Sequence, residues 1–167
     1  MHEIGDKIVY GAFGVMTIVD IREESVGGLS FNYYVLKPTL ARTDSLTFVP
    51  TNNENLVSHM RPLLTKDEIL ALVQEAPTIP PLEWINANNA RHDFFKGIME
   101  SGDRAKMIAM IHTIDECAKR REAEGKKNFI ADENIRLKAK KLLCSEIAVV
   151  FDIPEESVND FTNNVFD

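Results

Sequence analysis

The sequence predicts an α+β protein whose two kinds of structure are segregated along the chain, a small β-barrel first and an α-helical bundle after it. Residues 1–50 alternate with period two and are broken by glycine, whereas from about Thr65 onward the apolar residues recur at helical spacing. Composition agrees with a folded chain: of 167 residues, 44% are hydrophobic and 27% charged, an ordinary globular balance. The period changes between Pro50 and Thr65, which divides the chain into domains 1–64 and 65–167.

The strands follow in order. Lys7-Ile8-Val9-Tyr10 is a short strand ended by Gly11. Gly14 opens a second over 15–21, with Val15, Thr17, Val19 and Ile21 on one face and Met16, Ile18 and Asp20 on the other. Val26-Gly27-Gly28 signals a turn, because glycine takes positive φ at no steric cost. Residues 31–36, aromatic and β-branched, form a third strand and residues 45–49 a fourth, closed by Pro50. So small a sheet needs closure or a partner to protect its edges.

The helical half begins with a short helix over 67–75, stopped at Ala76-Pro77 because proline disfavours α geometry in the residue before it. Pro77-Thr78-Ile79-Pro80-Pro81 is a stiff connector to a second helix, expected over 82–100. Gly102 suits the C′ position and Asp103 the next N-cap. The third helix stacks Met107, Met110, Ile111, Ile114, Cys117 and Ala118 in one stripe and ends at Gly125. A fourth starts near Asp132 and buries Ile135, Ala139, Leu142, Leu143, Ile147 and Val150. Asp152 is expected to cap a last short helix, with Pro154 in its first turn.

Several function classes lose support at this level. The formal net charge is −7, which disfavours nucleic-acid binding by bulk electrostatics, since that binding comes from neutralised phosphates. The charge is uneven, however. From Lys119 to Lys141 there are nine basic and four acidic residues, and from Leu142 onward six acidic and none basic. No apolar run reaches the ~18 residues of a membrane span. The opening Met1-His2-Glu3-Ile4-Gly5-Asp6 lacks a leader pattern, so a cytoplasmic location is expected. Cys117 and Cys144 have no CxxC spacing and read as small core residues. His112 and Glu116 stand at i, i+4, but a zinc site needs three or four ligands, so a surface pair is the reading and no metal or cofactor is expected. Gly11-Ala12-Phe13-Gly14 lacks the lysine and hydroxyl residue of a phosphate loop. No nucleophile motif occurs, and an enzyme is not expected.

Trp84 is the only tryptophan. It follows the proline connector and precedes Asn86, Asn88 and Asn89. It is either a hinge residue packed between domains, as tryptophan usually is, or an exposed apolar wedge of the kind that architectural proteins press against base steps.

Ile4-Gly5-Asp6-Lys7-Ile8-Val9-Tyr10 with Gly14-Val15 resembles the opening of the CarD-like family of bacterial transcription regulators. Tyr33-Tyr34-Val35-Leu36, Val49-Pro50 and Arg61 continue that pattern. Ala76-Pro77, Trp84, Ser101-Gly102-Asp103, and Ala139, Leu142, Glu146 and Ala148 follow in the family's order. Gly125-Lys126-Lys127 and Asp152-Ile153-Pro154 look most like its Firmicutes-type branch. The resemblance implies a Tudor-like barrel that binds the RNA polymerase β subunit, and a helical domain that contacts promoter DNA at the upstream edge of the bubble and stabilises the open complex. It would place the protein on the nucleoid through the polymerase. Where some members carry a basic contact residue just before Val-Pro, this chain has Phe48. The stretch from Trp84 to Ser101 is about one helical turn longer than in the actinobacterial branch. The fourth helix opens with the acidic Asp132-Glu133 rather than with basic residues.

On that basis Arg42, Ser45, Leu46, Thr47 and Phe48 are the expected polymerase contacts, with barrel core as the other reading of Phe48. Trp84, Arg91, Lys96, Lys126, Lys127 and Arg136 are the expected DNA contacts, with a solvated charged face as the other reading of the five cations. A protein–protein adaptor with no direct DNA contact is the competing function, and the acidic net charge supports it. A barrel borrowed from the transcription-repair coupling helicase shares the N-terminal pattern, but these 167 residues contain no helicase motor.

Overall fold

The computed structural model describes residues 2–167; Met1, one of the residues read for a leader pattern, lies outside the described residues. Five antiparallel strands come first: β1 Lys7–Tyr10, β2 Val15–Val26, β3 Leu29–Pro38, β4 Thr47–Pro50 and β5 Met60–Pro62. Their order in the sheet is β4-β3-β2-β1-β5. The inner face buries Ile8, Tyr10, Met16, Ile18, Tyr34, Leu36, Val49 and Met60 as one cluster. The expected barrel does not close in hydrogen bonds, since β4 and β5 are the two edges of the sheet. Helix α1, Glu54–Ser58, joins them, touches both and packs Leu56 and Val57 on the cluster. β5 has only three residues and ends in Pro62, which has no N–H to extend a ladder. Neither α1 nor β5 shows a period long enough to be read from sequence.

The second strand is longer than expected and its faces exchange midway. Its register against β3 shifts between Ile18 and Asp20. A bulge adds one residue and reverses the alternation beyond it. Met16 and Ile18 therefore face the core, Val19 is exposed, and Asp20 stands opposite Val35 instead of sharing the Met16 face. Gly27 and Gly28, at φ 61° and 82°, turn β2 into β3. Two consecutive positive φ values suit the two-residue hairpin loop that matches strand twist.

The helical part contains α2 Lys66–Glu75, α3 Asn88–Ser101, α4 Arg104–Ala123, α5 Ile130–Phe151 and α6 Val158–Phe161. Thr65 starts α2 with a capping box: its hydroxyl accepts the Glu68 N–H, and the Glu68 carboxylate accepts the Thr65 N–H at 2.7 Å. That backbone N–H holds the Glu68 carboxyl below its ordinary range. Asp103 caps α4 by accepting the Lys106 N–H, and Gly102 ends α3 in the left-handed region. Ile69, Phe95, Ile98, Met110, Ile111, Ile114, Leu143, Ile147, Val158 and Phe166 belong to the common core, and Cys117 and Cys144 are free and buried.

Two boundaries differ from expectation. Residues 82–87 have no regular secondary structure where a helix was expected, so α3 begins at Asn88. Their backbone groups are taken by side chains from elsewhere. The Leu82 N–H donates to the Thr113 hydroxyl at 2.7 Å, and the Ile85 and Asn86 carbonyls accept from Arg91. Asp152, expected to start the last helix, instead ends α5 at φ 54°.

The sheet unit and the bundle meet through polar and apolar contacts. Glu146 of α5 accepts the Leu64 N–H at 2.9 Å and pairs with Arg104, which also donates to the Pro62 carbonyl. Ala12 and Leu64 pack on the helical core. At Gly14, φ 85°, a Cβ would stand 3.0 Å from a Leu142 methyl, so a larger residue would strain the backbone and crowd the Leu142 side chain of α5. Among the described residues no helix is long and apolar enough to cross a membrane.

Candidate functional site

Two separate faces carry the predicted residues. On the first, among the described residues β4 pairs only with β3, setting Thr47 opposite Leu36, Phe48 opposite Val35, and Val49 opposite Tyr34. Alternation then turns Val49 into the core and Phe48 outward. Phe48 is 43% exposed, so it is not core, and that reading falls. Its ring meets Tyr33 edge to face at 6.5 Å, and the Arg22 guanidinium lies 6.0 Å from its centroid. Arg22 is solvent-exposed and paired with Asp20 at 3.2 Å. Arg42, Ser45 and Leu46 are exposed in the loop that enters β4, and Thr47 is half-buried. The structure thus places Thr47 and Phe48 on the edge strand and Arg42, Ser45 and Leu46 in the loop that leads into it. It adds Arg22 and Tyr33, which sequence reasoning missed because the register that brings β2 and β3 beside Phe48 is not visible in spacing.

The second face is built around Trp84. The half-buried indole sits in the irregular segment before α3. It stacks on Phe129, with centroids 6.2 Å apart and planes 21° apart. The Arg91 guanidinium lies 4.4 Å from the indole centroid and 4.9 Å from the Phe129 centroid. Arg121 covers Phe129 at 4.0 Å and donates from Nε to the Lys127 carbonyl. Trp84 and the Lys126-Lys127 connection between α4 and α5 are therefore linked through Phe129 and Arg121.

The other cations divide by environment. Arg91 is 1% exposed and bonded to Asp132, so the expected phosphate contact is corrected: a guanidinium without water access reaches no phosphate. Arg136 is largely buried and paired with Asp115 and Glu133, which occupies it within the bundle. Lys126 and Lys127 are exposed; Lys126 pairs with Glu124 at 2.6 Å, and that hydrogen bond holds the Glu124 carboxyl below its ordinary range. Lys96 is exposed but lines a different groove, beside Ala12 and Phe13. The acidic opening of α5, noted in sequence as a departure, supplies the partner that buries Arg91. His112 is bonded to the Ile79 carbonyl, and no group of three or more metal-ligating side chains is placed for an ion among the described residues.

Residues 2–64 match the family model described as CarD-like/TRCF RID domain. A comparison with curated proteins finds no match. The matched stretch holds all five strands and the β4 edge, and the helices from α2 onward lie outside it. Residues 2–64 therefore form a CarD-like/TRCF RID domain, the mark of a transcription-related protein that interacts with RNA polymerase.

Proposed function

We propose that the protein regulates transcription by docking on the β subunit of bacterial RNA polymerase through β4 and by holding Trp84 against DNA at the upstream edge of the promoter bubble. The observation that carries this reading is an edge strand with an outward aromatic on the unit matched as CarD-like/TRCF RID. An unpaired strand edge accepts another chain's strand through main-chain hydrogen bonds, while Phe48 supplies side-chain specificity. We read the sheet, with its gap spanned by α1, as a variant of the Tudor-like barrel. The protein acts without an enzymatic step, in the cytoplasm, and reaches the nucleoid through the polymerase.

DNA contact then needs little intrinsic affinity, because docking supplies effective concentration. This reconciles the role with a net charge of −7. Opening a duplex unstacks a base step at roughly a few kcal/mol. An aromatic face restores part of that, about 1–3 kcal/mol per base on related platforms. Trp84 therefore slows bubble collapse more than it tightens binding to closed duplex. Lys126, Lys127 and Lys96 remain as candidate phosphate contacts.

The test compares Phe48→Ala and Trp84→Ala in the full chain. Phe48→Ala weakens polymerase binding. Trp84→Ala keeps polymerase binding and shortens open-complex lifetime. A Trp84→Ala protein with an unchanged lifetime removes the DNA half. The adaptor reading is favoured by a specific observation: two of the five expected phosphate contacts, Arg91 and Arg136, are committed to internal ion pairs. Under it, polymerase–promoter complexes carrying the protein show the same salt dependence with and without Lys126 and Lys127.

A further inference from the structure

The geometry points to Arg91 as the residue that positions Trp84, an inference that rests on the reading of Trp84 as the DNA-facing group. All five guanidinium N–H groups of Arg91 have acceptors. Nε donates to Asp132 at 3.1 Å. Nη1 donates to the Ile85 carbonyl at 2.8 Å and the Asn86 carbonyl at 3.4 Å. Nη2 donates to Asn88 Oδ1 at 2.8 Å and to Asp132 Oδ2 at 2.9 Å. The two carbonyls belong to the residues directly after Trp84, so one side chain fixes the backbone that carries the indole and also touches its ring. Asp132 in turn accepts from Arg91, neighbours His92 Nε2 at 3.1 Å, and lies in the first turn of α5, where the helix dipole favours a carboxylate.

This arrangement answers a difficulty in the wedge reading. The segment 82–87 has no regular secondary structure of its own, and a ring on a free loop would lose rotational and backbone freedom on meeting DNA. Here the ordering is already present in the unbound chain. The fork geometry of arginine is required, because lysine has three donors and no plane to lay against the indole.

The test uses the full chain in three forms. Arg91→Lys keeps the charge and loses the fork. Arg91→Met combined with Asp132→Asn removes both charges together, leaving no buried ion unpaired. Asn88→Ala, at an exposed position, removes one acceptor only. Trp84 is the only tryptophan, so emission wavelength and acrylamide quenching report this site alone. We expect red-shifted emission and steeper quenching in each variant that melts cooperatively, smallest for Asn88→Ala. Open-complex lifetime in the first two falls about tenfold, the factor that ~1.4 kcal/mol of lost ring support produces, while polymerase affinity is unchanged. Cooperatively folded variants whose emission and quenching match the parent's overturn the positioning role. Failure of the wedge reading shows elsewhere: Trp84→Ala leaves lifetime unchanged while the Arg91 variants still shift the fluorescence.

Discussion

Two arginine–aromatic pairs of the molecule are opposite in character. Arg22 beside Phe48 has 47% of its side chain exposed and is paired with an exposed Asp20. Arg91 beside Trp84 is 1% exposed and paired with an Asp132 side chain that is 3% exposed. In water an ion pair is worth little, and its members are free to meet another partner. In the interior the same pair must satisfy every donor, because an unpaired buried charge is costly. The sheet edge is thus a surface whose groups can be recruited by a docking chain, and the Trp84 face is one whose groups are already committed. Similar residue types stand in solvent in one place and serve as internal scaffold in the other.

Removing the carboxylates separates the two most sharply. Asp132→Ala should cost about 3–5 kcal/mol of unfolding free energy, since it strands Arg91 in the core. Asp20→Ala should stay within ~0.5 kcal/mol. Urea titration of both measures the difference, and equal costs would break the comparison. Next in size is Glu146→Gln, which weakens the tie from α5 to Arg104 and the Leu64 N–H. A loss of about 1–3 kcal/mol is expected, with faster proteolysis near residues 62–65 as a second readout.

Phe48→Ala should leave the melting temperature nearly unchanged and lower polymerase affinity about tenfold, the cost of an interface hot spot near 1.4 kcal/mol. Undiminished binding by a folded Phe48→Ala protein would remove this ring from the interface. The smallest effect is expected for Lys126→Gln with Lys127→Gln. Each true phosphate contact lowers the slope of log K against log salt by about one unit. A salt titration of promoter binding reads this directly, and an unchanged slope assigns both lysines to the solvated surface.

Much of the fold was legible because it depends on near neighbours. Lys7–Tyr10 reads as a strand and is one, and the α4 stripe of Met107, Met110, Ile111, Ile114 and Cys117 is buried as its spacing implies. Asp103 and Gly102 cap where their chemistry suggests. One residue of the candidate site was legible in its placement: Phe48 is exposed on β4, because strand alternation turns it away from the buried Val49. The β2 bulge was not legible, since nothing in the residues around Val19 marks an insertion in the ladder. Residues 82–87 were misread as helix, because the Thr113 hydroxyl that takes the Leu82 N–H comes from α4, far along the chain.

By itself the sequence determined the change of period, the Gly102 and Asp103 caps, the α4 core stripe and the motif that marks residues 2–64. Those follow from propensity and from contacts a few residues apart. Only the tertiary structure decided which charges are available. Arg91 and Asp132 are 41 positions apart, and Arg136 and Asp115 are 21 apart. Nothing in local spacing distinguishes these arginines from Lys126 or Lys127. Desolvation does, because burial depends on which helices come together and not on the residues beside each one in the chain.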